Sequence, residues 1–395
     1  MNRTIHIYFI LLSLSLLLAA SAGSALANVA ANARIINSAT ISYNDGSETR
    51  TATASVTVTV ALVPAIPLVT PGPPQSTSYS GPSTPLTNSF TVTATANGPD
   101  TYDIASTITG STNTTGPTAT PQSSSLFLGA TITVSGSSTT SITVPSDGTS
   151  DSSVNGIQAG STVVIGTETR TVQDVVDNAS GTSSINLTAA LSSTPAAGVV
   201  VAEQKSVLVD VTAGNIGTSG TSITVTKNIT VTSTTNTGIT VTSSTITDTY
   251  TSGVATLAKY VRNVTVPAAG TGTPYLYSST NYYQAGITAS PGDTLEYIVV
   301  ATNNGTGPVT SAVITDALPT SYVTLVPNAY GSGSEVTYVN ETGSVATFSA
   351  ASDTDQATYS SGALTVYVGT GATSGAGGSI PSSGSVMVLY RVTVN

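Results

Sequence analysis

Residues 37–60 read NSATISYNDGSETRTATASVTVTV. Ahead of Asn44-Asp45-Gly46 the apolar positions are Ile35, Ala39, Ile41 and Tyr43. Beyond it they are Ala52, Ala54, Val56, Val58 and Val60, with Thr or Ser between most of them. Period-two alternation closed by Asn-Asp-Gly predicts a β-hairpin. A hairpin alone is marginal in water, because one apolar face stays wet and two edges stay unpaired. Some other surface must cover it, and the identity of that surface decides the function.

The chain opens with a leader pattern: Arg3, an apolar run over 7–20, and the small-x-small site Ala25-Leu26-Ala27. Residues 1–27 therefore read as a signal peptide. The product is expected to be bacterial and secreted, outside the cell or on its surface, with no membrane insertion after cleavage. There is no Cys, which excludes a lipoprotein anchor and disulfides. Only 7% of residues are charged while Thr, Ser, Val and Gly abound, so the expected class is all-β. The formal charge is -10, and removing Arg3 makes it about -11, which argues against nucleic acid as a partner. Natural sheets place lysines on edge strands to stop them adding to neighbours. This chain has only Lys205, Lys227 and Lys259, a composition tolerant of edge-to-edge pairing.

After the hairpin (28–60) comes a segment, 61–87, holding Pro64, Pro67, Pro71, Pro73, Pro74, Pro82 and Pro85. It reads as an extended linker able to carry the hairpin past its own domain or to fold back. A strand–turn–strand unit, FTVTATANGPDTYDIASTIT (90–109), recurs as EYIVVATNNGTGPVTSAVIT (296–315). A weaker echo is SVLVDVTAGNIGTSGTSITV (206–225). These recurrences imply tandem immunoglobulin-like β-sandwiches, the first over 88–253 and the second over 254–395. Residues 156–204 have short strands at close turn spacing, like a small barrel, and about 125–204 reads as a small β domain inserted into the first sandwich; three domains in a row is the alternative.

LAKYVRNVT (257–265), PGDTLEYIVVATNNGTGPVTSAVITDALP (291–319) and SVMVLYRVTV (385–394) together resemble the conserved-repeat domain of bacterial surface proteins known as domain of unknown function eleven. The resemblance covers roughly 257–394, with 90–109 a looser match. It implies an immunoglobulin-like fold in exported surface or matrix proteins, and no catalytic activity. Against that family the chain reads as a departure, short and with no anchor expected.

The sole His is His6, in the leader, so Ser-His-Asp, Cys-His and His-ligated zinc sites are unavailable, and no cofactor or enzymatic activity is expected. The acidic pairs Asp45/Glu48, Asp147/Asp151 and Asp353/Asp355 could hold calcium, or could simply make turns. An isopeptide bond between Lys259 and Asn395, with Glu296 as a buried acid of raised pKa, is set against a solvated Lys and a frayed terminal Asn. Tyr275, Tyr277, Tyr282 and Tyr283 mark either an interface or the packing of a sandwich edge.

Two function classes follow. In the first, Ile35, Ala39, Ile41, Tyr43, Val56, Val58 and Val60 enter a sheet of the next copy, making a homopolymeric filament. In the second, the hairpin packs on its own sandwich and the protein is a secreted adhesin or carbohydrate-binding module. A surface-layer or sheath lattice, meeting cell-surface or matrix components, lies between them.

Overall fold

The computed structural model describes residues 29–395, so the leader read at 1–27 lies outside the described residues. As the alternation of β-branched and hydroxyl residues dictates, every regular element among the described residues is a strand. The hairpin is β1 (Arg34–Asn44) and β2 (Thr49–Thr59).

The Pro-rich segment is not a linker. Its strand β3 (Leu68–Pro71) pairs antiparallel with β5 (Pro85–Thr93), and β4 (Ser76–Ser78) pairs in parallel with a strand of the opposite sheet. Proline lacks an N–H but remains compatible with an edge strand, where one side of the backbone needs no donor. The segment therefore closes an edge of each sheet, and the first sandwich begins near Leu68 rather than Asn88.

That sandwich places β5 beside β8 (Val200–Thr212) in one sheet. The other sheet holds β6 (Asp100–Thr112), with β7 (Ser125–Leu128) on one edge and β9 (Ile223–Ser233) on the other. β10 (Ile246–Thr251) then lies between β9 and β4. Phe90, Val92, Tyr102, Val209, Ile229 and Tyr250 are fully buried between the sheets.

The small β domain is an insertion. The chain leaves the sandwich after Leu128 and returns along β8, whose first residues pair with inserted strands and whose remainder pairs with β5. Its core is separate and includes Ile142, Val163, Val172, Ile185 and Val201. Residues 125–128 pair with β6 and belong to the sandwich, so the inserted stretch starts at Gly129.

The second sandwich has β11 (Ala255–Asn263), β12 (Thr294–Asn303) and β16 (Ser385–Val394) side by side in one sheet. The other holds β13 (Val309–Ala317), β14 (Ala363–Tyr367) and β15 (Gly378–Ile380). Only Ser252, Gly253 and Val254 connect β10 to β11. The Val254 N–H donates to Asn303 Oδ1 at 3.0 Å, Gly307 N–H to the Ser252 carbonyl at 2.9 Å, and Thr306 N–H to the Gly220 carbonyl at 3.1 Å. A Cβ on Gly305 would lie 2.4 Å from the Ser252 carbonyl oxygen, so backbone rests on backbone at this joint. Gly305→Ala is expected to force the two sandwiches apart and lower stability by roughly 1–3 kcal/mol, read by thermal denaturation and by faster proteolysis at Ser252–Val254.

Candidate assembly interface

β1 and β2 pair in continuous register from Arg34↔Thr59 to Asn44↔Thr49, and every residue of both strands is exposed. Because side chains alternate between faces, Ile35, Ala39, Ile41 and Tyr43 share one face with Ala52, Ala54, Val56 and Val58. Ile41 is 63% exposed and Val56 and Val58 are each 57% exposed, so nothing among the described residues covers that face. At the tip, Asp45 pairs with Arg50 and accepts the N–H groups of Glu48 and Ser47, which together hold its carboxyl well below the usual range.

The root is as fixed as the blades are bare. Val60 belongs there rather than to the blade: it is half-buried, and its backbone exchanges hydrogen bonds of 2.9 Å with Asn32 and Ala33. Ala30, Ala31 and Ala33 are buried. Ala31 N–H donates to the Asn97 carbonyl at 2.8 Å, and Val63 N–H to Asn97 Oδ1 at 2.7 Å. From the inserted domain, Asn155 Nδ2 donates to the Ala31 carbonyl at 3.1 Å. A Cβ on Gly98 would stand 2.4 Å from that of Ala31. The hairpin thus projects from the pole of the first sandwich on a rigid mount, and is not carried away by the Pro-rich segment.

The two sandwiches differ in one respect that matters to this hairpin. In the first, β6 has a strand on each edge, and the β9–β10 hairpin buries Ile223, Val225, Ile229 and Val231 against the core. In the second, β13 follows a Gly-Pro turn as β6 does, but β14 and β15 succeed one another along a single edge. Val368, one residue past β14, donates to the Ala312 carbonyl at 3.0 Å and receives the Gly378 N–H of β15 at 2.8 Å. Among the described residues no strand pairs with the other edge. Across the resulting gap lies β11. Leu257 and Lys259 stand opposite Ala301 and Val299, both buried in the core, and therefore face the core side of their sheet. Leu257 is nevertheless 63% exposed. Lys259 reaches over the gap to Asp316 of β13 at 2.8 Å and lies 4.6 Å from the centre of the Tyr297 ring.

Lys259, Asn395 and Glu296 do not come together. Glu296 is out of phase with Val299 on β12 and so points to the opposite face from Lys259. There it accepts Arg262 Nε at 2.7 Å, Arg391 Nε at 2.8 Å, Tyr282 OH at 2.7 Å and Tyr330 OH at 3.0 Å. Asn395 is held by Thr324 at 2.7 Å and the Thr320 carbonyl at 3.1 Å. Burial alone would push the Glu296 carboxyl up, as expected from sequence, but Tyr282, Arg391 and Arg262 outweigh it and hold the carboxyl below the usual range. The tyrosines form a lid on this outer face. Tyr275 stacks on Tyr260 with ring centres 5.0 Å apart, Tyr277 packs beside them, Tyr282 is buried and Tyr283 half-buried.

The other two acidic pairs cap turns. Asp147 accepts Asn155 N–H at 2.7 Å, Asp151 accepts Ser153 N–H at 3.1 Å, and Asp353 and Asp355 accept the Ser349 hydroxyl and N–H at 2.6 and 2.7 Å. Among the described residues no three His, Cys, Asp or Glu side chains converge.

No family model matches the chain, and no curated protein matches it. Among solved structures it is similar to the C-terminal domain of the Streptococcus agalactiae AgI/II polypeptide BspA. Identity is 10% over 82% of this chain and 86% of that one, with a TM-score of 0.28. A mutant form of that domain gives 10% over the same shares, with a TM-score of 0.27. A superposition this loose carries no inference about function.

The Glu296 cluster generates a pH dependence. Its carboxyl is depressed in the folded state, so its contribution is complete above the ordinary glutamate pKa of about 4.3 and is lost as pH falls through the lower folded value. Glu296→Gln is expected to lower stability by roughly 2–3 kcal/mol near pH 7 and to flatten the acid limb, checked by urea denaturation of both proteins across pH.

Proposed function

We propose that the chain is the structural subunit of an extracellular or cell-surface filament, in which β1–β2 of one copy completes the second sandwich of the next. The observation that carries this reading is the match between a hairpin without a sheet and a sandwich without a hairpin. In the first sandwich β9–β10 fills the place left open beside β13 in the second. That hairpin also precedes its following sandwich in the same way. The Val254 N–H after β10 binds Asn303 Oδ1, and the Val63 N–H after β2 binds Asn97 Oδ1. β1 then corresponds to β9 and β2 to β10, with β1 running along the free edge of β13.

The gap cannot be filled by the chain's own hairpin. The hairpin root lies beside Asn97, at the Asp100 end of β6. The joint to the second sandwich lies beyond Thr112, where Asn113 binds the Thr218 carbonyl at 2.8 Å and Gly220 binds Thr306. The thirteen residues of β6 separate the two ends by roughly 40 Å. A second copy is the occupant, and the contact is head-to-tail, which does not close on itself. Covering Ile35, Ile41, Tyr43, Val56, Val58 and Leu257 is worth ~1.5–3 kcal/mol each, and each new backbone hydrogen bond ~0.5–1.5 kcal/mol. Against an association cost of ~4–15 kcal/mol, the balance favours a stable join.

The test uses two variants, one lacking residues 34–59 and one carrying Leu257→Asp. The complete mature chain is expected to form filaments in negative-stain images, and each variant alone to stay monomeric on size exclusion with its strand content intact. Mixed, the two variants are expected to give a one-to-one dimer, since one retains only the groove and the other only the hairpin. A full mature chain that remains monomeric at high concentration overturns the proposal.

A further inference from the structure

The first sandwich holds a polar group that the assembly does not use. Asn88 of β5 is 1% exposed, while Lys227 of β9 and Asp248 of β10 are fully buried. Each lies on the buried face of its strand, in phase with the core residues Phe90, Val225, Ile229 and Tyr250. Asp248 binds both of the others: Oδ2 takes Lys227 Nζ, and Oδ1 takes Asn88 Nδ2 at 3.0 Å together with the Gln75 N–H at 2.9 Å. Asn88 Oδ1 is buried and has no partner among the described residues. A buried carbonyl oxygen left unpaired beside a buried amine needs an explanation, because each such group carries an unrelieved desolvation penalty.

We propose that Lys227 and Asn88 join spontaneously in an isopeptide bond, with Asp248 as the proton carrier. The reaction follows from the arrangement. Burial pushes the Lys227 ammonium down, towards the neutral amine, and its proton can pass to the Asp248 oxygen it touches. The Nζ lone pair then attacks Asn88 Cγ. Asp248 gives its proton to Oδ1, takes the one released by the attacking nitrogen, and passes that proton to Nδ2. As the Cγ–Nδ2 bond breaks, ammonia leaves, the hydroxyl proton returns to Asp248, and the carbonyl re-forms. One C–N bond replaces another, and nothing is oxidised or reduced. The product relieves the unpaired amide and removes a buried charge.

The place of the bond gives it a mechanical meaning. β5 pairs with β8 in one sheet, and β9 pairs with β6 and β10 in the other, so the bond would tie the two sheets together across the core. Antibody domains put their inter-sheet disulfide between the corresponding strands. This chain has no Cys, and a Lys–Asn amide is immune to reduction.

The experiment is peptide mapping of the full-length folded protein, digested with a protease that cuts at neither Lys nor Arg. The expected product is a branched peptide joining the segments around Asn88 and Lys227, lighter than their sum by one ammonia, about 17 Da. Intact mass alone does not decide, because Asn97-Gly98, Asn155-Gly156 and Asn304-Gly305 can each lose the same mass as a cyclic imide. Asp248→Ala is expected to abolish the branched peptide and to slow migration of the denatured chain on a gel. Should that variant fail to fold, the wild-type digest decides by itself. Recovery of both segments as linear peptides from folded wild-type protein overturns the proposal.

Discussion

A two-stranded ribbon satisfies the backbone groups between its strands and leaves the outer ones, with one whole apolar face, to water. The rest of the molecule is arranged around that deficit. Ala30, Ala31 and Ala33 sink into the pole of the first sandwich, and Asn97 and Asn155 bind the backbone on either side. Small side chains let the root approach closely enough for these bonds, which larger residues would prevent. The ordering of the hairpin's base is thus settled within the free subunit. A strand pair already in register would lose correspondingly less entropy on joining the proposed neighbour.

The second consequence of that deficit concerns the joint inside the chain. β10 passes into the second sandwich through three residues, and its neighbours Gly305 and Gly307 allow backbone to lie directly against backbone. The hairpin root repeats this economy with Gly98 against Ala31. In both places an Asn side chain accepts the N–H of the entering segment. A sandwich of this type is therefore mounted on whatever hairpin precedes it. Inside the chain that hairpin is already zipped into a sheet, whereas at the first sandwich it stands free.

Much of this was legible in the sequence, and the failures have physical causes. The hairpin, its turn and its apolar face follow from strict alternation, because a period of two admits a single assignment of faces. The insertion is visible as a change in turn spacing, but Ser125–Leu128, a short strand with no turn before Gly129, pairs with β6 and belongs to the sandwich, so turn spacing does not mark the boundary. The Pro-rich segment does not show its strands in the sequence, because proline's lost donor forbids a central strand but not an edge one. Lys259, Glu296 and Asn395 were grouped by their positions at strand ends, without regard to which face each residue meets. The opposite lesson attaches to Lys227. In ITVTKNITVTS it shares the parity of Ile223, Val225, Ile229 and Val231, and Asn88 shares that of Phe90 and Val92. A charge and an amide on the apolar phase of two strands were readable signals of a buried polar pair. The unfinished edge of β13 was not readable, since an absent neighbour leaves no mark in the strand itself.

Scarcity of lysine removes the usual guard against strands adding where they should not, so selectivity must come from elsewhere. Geometry supplies it. The blades cannot turn back on their own sandwich, because the root fixes their direction away from it. Only one face is apolar, with Ile36 the lone large aliphatic side chain on the other, which disfavours stacking of hairpins on both sides. On the proposed acceptor, the edge of β13 left unpaired among the described residues lies beside core-facing Leu257, with Lys259 and Asp316 across the mouth. A strand docking there must match a backbone edge and an apolar floor together. An isolated edge elsewhere offers the first without the second, and backbone hydrogen bonds alone, at ~0.5–1.5 kcal/mol apiece, do not outweigh the ~4–15 kcal/mol lost on association. In the proposed filament, burial of the apolar face would therefore select the site, and the hydrogen bonds would fix the register.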